Sequence, residues 1–218
     1  MKADFEHTWD HENQFYLTCE PSRIGKLMAH YELYKQIIDI PGYIAEFGIF
    51  KGASFSRFCM LRELLESSHT RKIIGFDTFG AFPDVEYSND KLQVESFFAE
   101  AGNHSIGIDE LRDSLVQREL ARNVDLIKGD ICETLPEFLR LHPETRFALV
   151  NLDVDIYEPS RIIISHIWDR IMPRGVLILD NYSVFPGETT AVEELLGRNA
   201  QIKKFPYAFT PYYLIKNE

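Results

Sequence analysis

Apolar and polar positions along this chain fall into blocks whose period switches between about two and about 3.6 residues. Short, largely apolar runs bounded by turn residues recur at 43–47, 72–76, 124–128, 147–152 and 175–179. They predict strands of a sheet buried on both faces. Helical spacing covers 53–66, 109–119, 134–141, 159–171 and 188–196 between them. Pro136 falls in the first turn of the 134–141 segment, where proline is tolerated. Residues 22–40 also predict a helix, with Ile24, Leu27, Met28, Tyr31, Tyr34 and Ile38 at helical spacing. Ser22 offers an N-cap and Pro41-Gly42 ends the run. Residues 80–105 are punctuated by Gly and Pro around one helix at 91–101, and two short strands at 201–205 and 212–216 close the chain.

Strands alternating with helices predict an α/β fold: a doubly wound, mostly parallel seven-stranded sheet with an antiparallel edge strand. Residues 1–21 are polar with scattered aromatics and read as an N-terminal arm, a lid or an oligomer contact, leaving 22–218 as the folded domain. The aromatic stretch 205–213 reads either as a homo-oligomer interface or as an edge strand packed on the domain's own helices.

Composition narrows the function. The 218 residues suit one α/β domain, and 45% hydrophobic with 26% charged residues is ordinary for a globular protein. A formal net charge of -11 argues against a general nucleic-acid or anionic-membrane binder. Cys19, Cys59 and Cys132 are odd in number and widely spaced, so neither a disulfide framework nor a zinc site is expected. The start carries no apolar signal core, and no run of about 18 apolar residues exists, so a cytoplasmic protein is expected.

The candidate chemistry lies at the ends of the predicted strands. Asn151-Leu152-Asp153-Val154-Asp155 follows Phe147–Val150, and Asp180-Asn181-Tyr182 follows Val176–Leu179. Carboxylates and an amide at the C-terminal ends of neighbouring strands share the crevice where open α/β sheets bind ligands. Such oxygens suit a hard divalent cation such as Mg²⁺, although acids also cap strands and start helices without any ligand. The first strand runs into Glu46-Phe47-Gly48-Ile49-Phe50-Lys51-Gly52-Ala53-Ser54. Gly48 permits a tight turn, and the N–H groups of the next helix, with the Ser54 hydroxyl, can hold an anionic group. An ordinary βα turn without ligand gives the same pattern.

Asp77 and Thr78 end the second strand, where an acid can accept from both ribose hydroxyls. A dinucleotide site wants G-x-G-x-x-G, and here bulky Phe50 stands in the place of the middle glycine. That favours a nucleoside with a smaller anionic tail, such as S-adenosylmethionine. Glu46 is placed to order the turn or to receive a methionyl ammonium. Asp130 is placed either for the adenine amino group or as an N-cap.

Together these segments resemble the class I S-adenosylmethionine-dependent methyltransferases, and most closely the macrocin O-methyltransferase family. The resemblance spans about residues 22–218. It is carried by Pro41-Gly42, the Glu46–Ser54 turn, Gly75-Phe76-Asp77-Thr78-Phe79, Gly129-Asp130, Leu152–Pro159, Asp180-Asn181-Tyr182 and Phe185-Pro186-Gly187. It implies methyl transfer to a hydroxyl of a sugar or glycosylated natural product, with Mg²⁺ or another divalent cation on Asp153, Asp180 and Asn181. It implies cofactor binding by Glu46, Gly48, Phe50, Gly52, Ser54, Asp77, Thr78, Asp130 and Asp153. Macrocin-type enzymes usually carry Asp-Asp-Tyr where this chain has Asp180-Asn181-Tyr182. The Asp-Asn pair is similar to catechol O-methyltransferase, but the lysine base of that enzyme is replaced by Ile156.

The expected general base is Asp153, acting as ligand and base together, with Asp155 as its alternative. Asp155 reads equally as an orienting or helix-capping residue. His104 is a further base candidate or an ordinary surface histidine, and 80–105 with the N-terminal arm would form the lid. A catechol or phenol methyltransferase, a nicotinamide-dependent oxidoreductase and a non-catalytic cofactor-binding protein are the competing readings.

Overall fold

In the computed structural model, which describes residues 3–217, the strands are β1 (Tyr43–Phe47), β2 (Ile73–Asp77), β3 (Val124–Lys128), β4 (Phe147–Leu152), β5 (Ile171–Leu179), β6 (Lys203–Lys204) and β7 (Tyr212–Ile215). They pair in the order β3-β2-β1-β4-β5-β7-β6. The first five are parallel, whereas β7 is antiparallel to both β5 and β6. The helices are α1 (Thr8–Thr18), α2 (Pro21–Lys35), α3 (Ala53–Leu65), α4 (Lys91–Ala101), α5 (Ile108–Gln117), α6 (Ile131–Leu141), α7 (Tyr157–Ile167) and α8 (Pro186–Leu196).

Strand alternation builds a core on each face of the sheet. Ile44, Leu149, Val176 and Ile178 point to the side of Leu33, Tyr34, Phe55, Phe58, Leu111 and Leu115, from α2, α3 and α5. Phe47, Val150, Leu152, Leu177 and Leu179 point to the side of Leu135, Leu139, Ile163, Ile164, Ala191 and Val192, from α6, α7 and α8. Both faces are therefore covered, as the largely apolar strands require. The chain runs outward from β1 through β2 to β3, then returns to β4 on the other side of β1. The strand order thus reverses between β1 and β4, which opens a crevice at their carboxyl ends.

Several element boundaries differ from those the sequence predicts. The first long helix runs Pro21–Lys35 rather than 22–40, with Pro21 at its start and Glu20, not Ser22, at the N-cap. The Arg71 guanidinium binds the carbonyls of Ile37, Ile40 and Gly42 just beyond it, and holds that connection in a non-helical path. Its inward face also differs: Leu27, Met28, Tyr31 and Ile38 are exposed, while Gly25, Ala29, His30, Leu33 and Tyr34 are buried. α6 starts at Ile131 behind an Asp130 cap, so Pro136 lies inside the helix rather than in its first turn. α7 ends at Ile167, because Ile171 already pairs with Phe147 as the start of β5. β6 is two residues instead of five. Within 1–21, residues 8–18 form α1, a helix with no buried residue. Phe205 stacks on Tyr207 and Tyr213, and β7 pairs with β5, so much of 205–213 packs on its own domain, while Tyr207 and Phe209 stay exposed.

Candidate active site

The turn after β1 and the loop after β4 meet in direct contact. Asp153 N–H donates to the Phe47 carbonyl at 2.9 Å, which prolongs the β1–β4 ladder past the strand ends. Gly48 sits at φ +86°, and a Cβ there would lie 1.8 Å from the Asp153 carbonyl oxygen. Only glycine fits that approach. Asp77 ties the glycine turn to β2. Its Oδ2 accepts the N–H groups of Ile49 at 2.7 Å and Phe50 at 3.1 Å, and its Oδ1 accepts that of Phe79 at 2.6 Å and the Thr78 hydroxyl at 3.4 Å. A carboxylate has about four acceptor positions, so this buried side chain is largely committed to shaping the two turns.

Below them lies a cavity of about 580 Å³. Gly48, Phe50, Asp77, Thr78, Asp130, Asp153, Asp155, Asp180 and Asn181 all line it. Glu46, Gly52, Ser54 and His104 do not. Glu46 is wholly buried in β1; one carboxyl oxygen accepts the Ser54 hydroxyl, and the other, Oε2, has no partner. Burial pushes its pKa up to about 8. Asp130 Oδ1 accepts Cys132 N–H at 2.8 Å and so caps α6 while facing the cavity. His104 stands on an exposed loop with Nδ1 against Asn103 Oδ1 at 2.7 Å, and the fold does not bring it to the acids.

The acids after β4 and β5 converge. Asn181 Nδ2 donates to Asp153 Oδ1 at 3.0 Å. Burial and the neighbouring Asp180 charge raise the Asp153 pKa well above the carboxylate range, and they push Asp155 up to about 7. Asp155 does not continue the strand: its φ of +67° turns its backbone into the left-handed region, and its carbonyl accepts Glu188 N–H at 3.3 Å. Asp180 is 4% exposed, and its Oδ1 has no partner.

Three residues that the sequence reading passes over complete the site. Lys26, from α2, places its ammonium 2.5 Å from Asp180 Oδ2 and 4.0 Å from Asp153 Oδ2. Burial alone would lower its pKa, but the Asp180 and Asp153 charges outweigh burial and raise it. Glu188, wholly buried in α8, accepts Asn181 N–H at 3.0 Å and leaves Oε2 unpartnered. Asp90, at the start of α4, accepts N–H groups from two other helices. Their signals were weak: Lys26 lies among apolar residues at helical spacing, Asp90 acts through partners 67 and 97 positions away, and Glu188 reads as the start of a helix.

The candidate metal ligands are two carboxylates and one amide, a hard-oxygen set, and the unpartnered Asp180 Oδ1 fits a cation. Among the described residues no cluster of three or more His, Cys, Asp and Glu side chains forms a ligand array, so Asn181 is needed to complete three. No helix of the described residues is long and apolar enough to cross a membrane.

A seven-stranded sheet with its ligand crevice at the β1/β4 reversal defines a Rossmann-like methyltransferase fold. The family model described as Macrocin-O-methyltransferase (TylF) matches residues 21–204, and the chain belongs to that family. It is 25% identical over 147 residues to the 8-demethyl-8-(2,3-dimethoxy-alpha-L-rhamnosyl)-tetracenomycin-C 4'-O-methyltransferase of Streptomyces olivaceus, covering 66% of this chain and 54% of the relative. It is 26% identical over 171 residues to the mycinamicin III 3''-O-methyltransferase of Micromonospora griseorubida, covering 73% and 62%. The chain thus spans 54–62% of the length of these curated relatives. Among solved structures, the calicheamicin methyltransferase CalS11 matches at 28% identity with a TM-score of 0.81, over 99% of this chain and 88% of that one. An apo structure of CalS11, described as a TDP-rhamnose 3'-O-methyltransferase, matches at 27% identity with a TM-score of 0.72, over 99% and 89%.

Proposed function

We propose that the protein is a divalent-cation-dependent O-methyltransferase that moves a methyl group from S-adenosylmethionine to a hydroxyl of a sugar or glycosylated natural product. The observation that carries this reading is the direct contact between the glycine turn after β1 and Asp153 after β4, in a cavity that Asp180 and Asn181 after β5 also line. Family membership supports the chemistry, and the named relatives act on sugar hydroxyls.

Each part of the site has a role in this reading. The turn Gly48–Gly52 receives the cofactor, with Phe50 and Thr78 along its length. Asp77 holds the turn in shape and borders the ribose, and Asp130 borders the adenine. The buried, unpartnered Oε2 of Glu46 supports a role for that residue toward the methionyl ammonium. Asp153, Asp180 and Asn181 would hold the cation, which when bound would make the acceptor hydroxyl more acidic. Asp153 Oδ2 takes the acceptor proton, because Oδ1 is committed to Asn181. Asp155 is the alternative base. The acceptor oxygen forms its bond to the methyl carbon as the carbon–sulfur bond breaks, and the electron pair stays on sulfur as S-adenosylhomocysteine. Phe82, Tyr87 and Phe97, from the 80–105 segment and α4, supply aromatic walls against which a sugar ring can lie.

Calorimetric titration with S-adenosylhomocysteine, with NAD beside it, tests the cofactor. Transfer of labelled methyl groups to nucleotide-linked sugars, to glycosides and to catechol tests the acceptor. Binding of S-adenosylhomocysteine with labelled sugar product is expected. Labelled catechol alone would overturn the acceptor, and preference for NAD would overturn the whole reading.

A further inference from the structure

α2 delivers one cation into the acid cluster. Residue Gly25 presses against the C-terminal segment so closely that a Cβ there would lie 2.5 Å from the Tyr207 carbonyl oxygen. That contact fixes the helix, so Lys26 reaches the acids by its own four-carbon stem. Its Nζ stands 2.5 Å from Asp180 Oδ2 and 4.0 Å from Asp153 Oδ2, with 20% of the side chain exposed to the cavity. A hydrogen-bonded ammonium and a divalent cation both need close contact with the same two acids, and like charges that close repel. Asp180 Oδ1 is free, but a divalent ion on it would share one carboxylate with the ammonium on Oδ2, close enough for the two charges to repel.

We propose that Lys26 is the resident cation of this site, and that its ammonium and a divalent ion exclude each other at Asp153 and Asp180. The proposal rests on the reading of Asp153, Asp180 and Asn181 as the cation donors. Metal entry turns the Lys26 side chain out along the exposed side of the cavity while α2 stays seated on Tyr207. Lys26 holds the two acids together until then. The apparent metal affinity is lowered by the fraction of molecules in which Lys26 still occupies the site.

Free Mn²⁺, measured by electron paramagnetic resonance during titration of the protein, reads this directly. Lys26→Met is expected to bind Mn²⁺ about tenfold more tightly than wild type, or better. Because removing the ammonium can unfold the acid cluster, a second measurement uses wild type alone. Amine acylation followed by peptide mass spectrometry should show Lys26 labelling rise with Mg²⁺ and fall with EDTA, while Lys35 and Lys51 stay constant. Equal or weaker Mn²⁺ binding by the folded variant, or Lys26 labelling indifferent to Mg²⁺, overturns the proposal. So does a failure of both proteins to take Mn²⁺. Binding of S-adenosylhomocysteine in the same samples shows separately whether the methyltransferase reading stands.

Discussion

Asp90 Oδ1 accepts the backbone N–H of Gly187 at 2.6 Å, and its Oδ2 accepts that of Tyr157 at 3.0 Å. One buried carboxylate therefore satisfies the first turns of both α7 and α8, the helices that follow the acids of β4 and β5. Asp90 itself leads into α4, which contributes Phe97 to the cavity wall. The covering segment is thus hydrogen-bonded by Asp90 to both loops, beside the apolar packing of Val94 with Ile156 and Phe185. Asp90→Ala leaves two N–H groups unpaired and should cost about 2–3 kcal/mol in urea unfolding. Asp90→Asn keeps one acceptor oxygen and should cost about half as much, within the same range per bond. Equal stability of all three proteins would show that the cap carries no load.

Asp153 and Asp180 act on the acceptor in the proposed reaction, and both sit on loops whose backbones are fixed by the sheet ladder. Asp153 N–H bonds Phe47 O at 2.9 Å, and Asp180 N–H bonds Leu152 O at 3.0 Å. Changing either side chain to Asn should leave the fold and S-adenosylhomocysteine affinity nearly intact. Methyl transfer should fall by roughly 10²–10⁴-fold for Asp153, the range for losing a general base, and should also fall for Asp180 with the loss of a cation ligand. EDTA should abolish the wild-type activity and Mg²⁺ should restore it. Full activity in either variant, or in EDTA, would sink the metal-assisted mechanism.

Gly48 is the point at which the two halves of the site touch. Its φ of +86° and the 1.8 Å approach to Asp153 O leave no place for a side chain. Gly48→Ala must shift either the glycine turn or the Asp153 loop. Strain and overpacking together should cost roughly 3 kcal/mol, and S-adenosylhomocysteine binding should fail with it. Gly102→Ala is the control: Gly102 has a φ of +83°, but a Cβ there meets nothing within 4 Å. It carries the cost of the positive φ without the crowding, so it should lose less stability and keep the ligand.

The sheet and half of the site were legible because they rest on local signals. Apolar runs placed β1, β2, β4 and β5, and the residues just past them, Gly48, Asp77, Asp153 and Asp180, had to fall at one edge of a parallel sheet. Lys26 was not legible because α2 buries Gly25, Ala29 and His30 beside Leu33 and Tyr34, while Leu27, Met28 and Tyr31 stay exposed. The apolar stripe read from spacing points partly to solvent, so the face carrying Lys26 could not be assigned. α1 has no buried face at all, which leaves no periodicity to detect. Asp90 pairs with residues 67 and 97 positions away, a relation that no local pattern encodes. His104 differs in kind: a histidine in a polar loop looks reactive in sequence, and in the fold it is exposed and does not line the cavity.

Glu46 gives the protein a pH dependence with a definite sign. Burial raises its pKa from 4.5 to about 8, so the folded state keeps the proton where the unfolded chain has lost it. Between those values the unfolded state binds fewer protons, and stability falls as pH rises from about 4.5 to about 8, then levels off. Glu46→Gln removes that contribution and leaves the other acids in place. Thermal melting at pH 5, 6, 7 and 8.5, on the principle that the slope reports proton uptake, should show wild type losing ground steadily to the variant. In the proposed site a methionyl ammonium pairs with the ionised carboxylate, so S-adenosylhomocysteine should recover the loss at pH 8.5 in wild type but not in Glu46→Gln. Parallel melting curves at every pH, with and without that ligand, would mean that Glu46 keeps an ordinary pKa and takes no part in holding the cofactor.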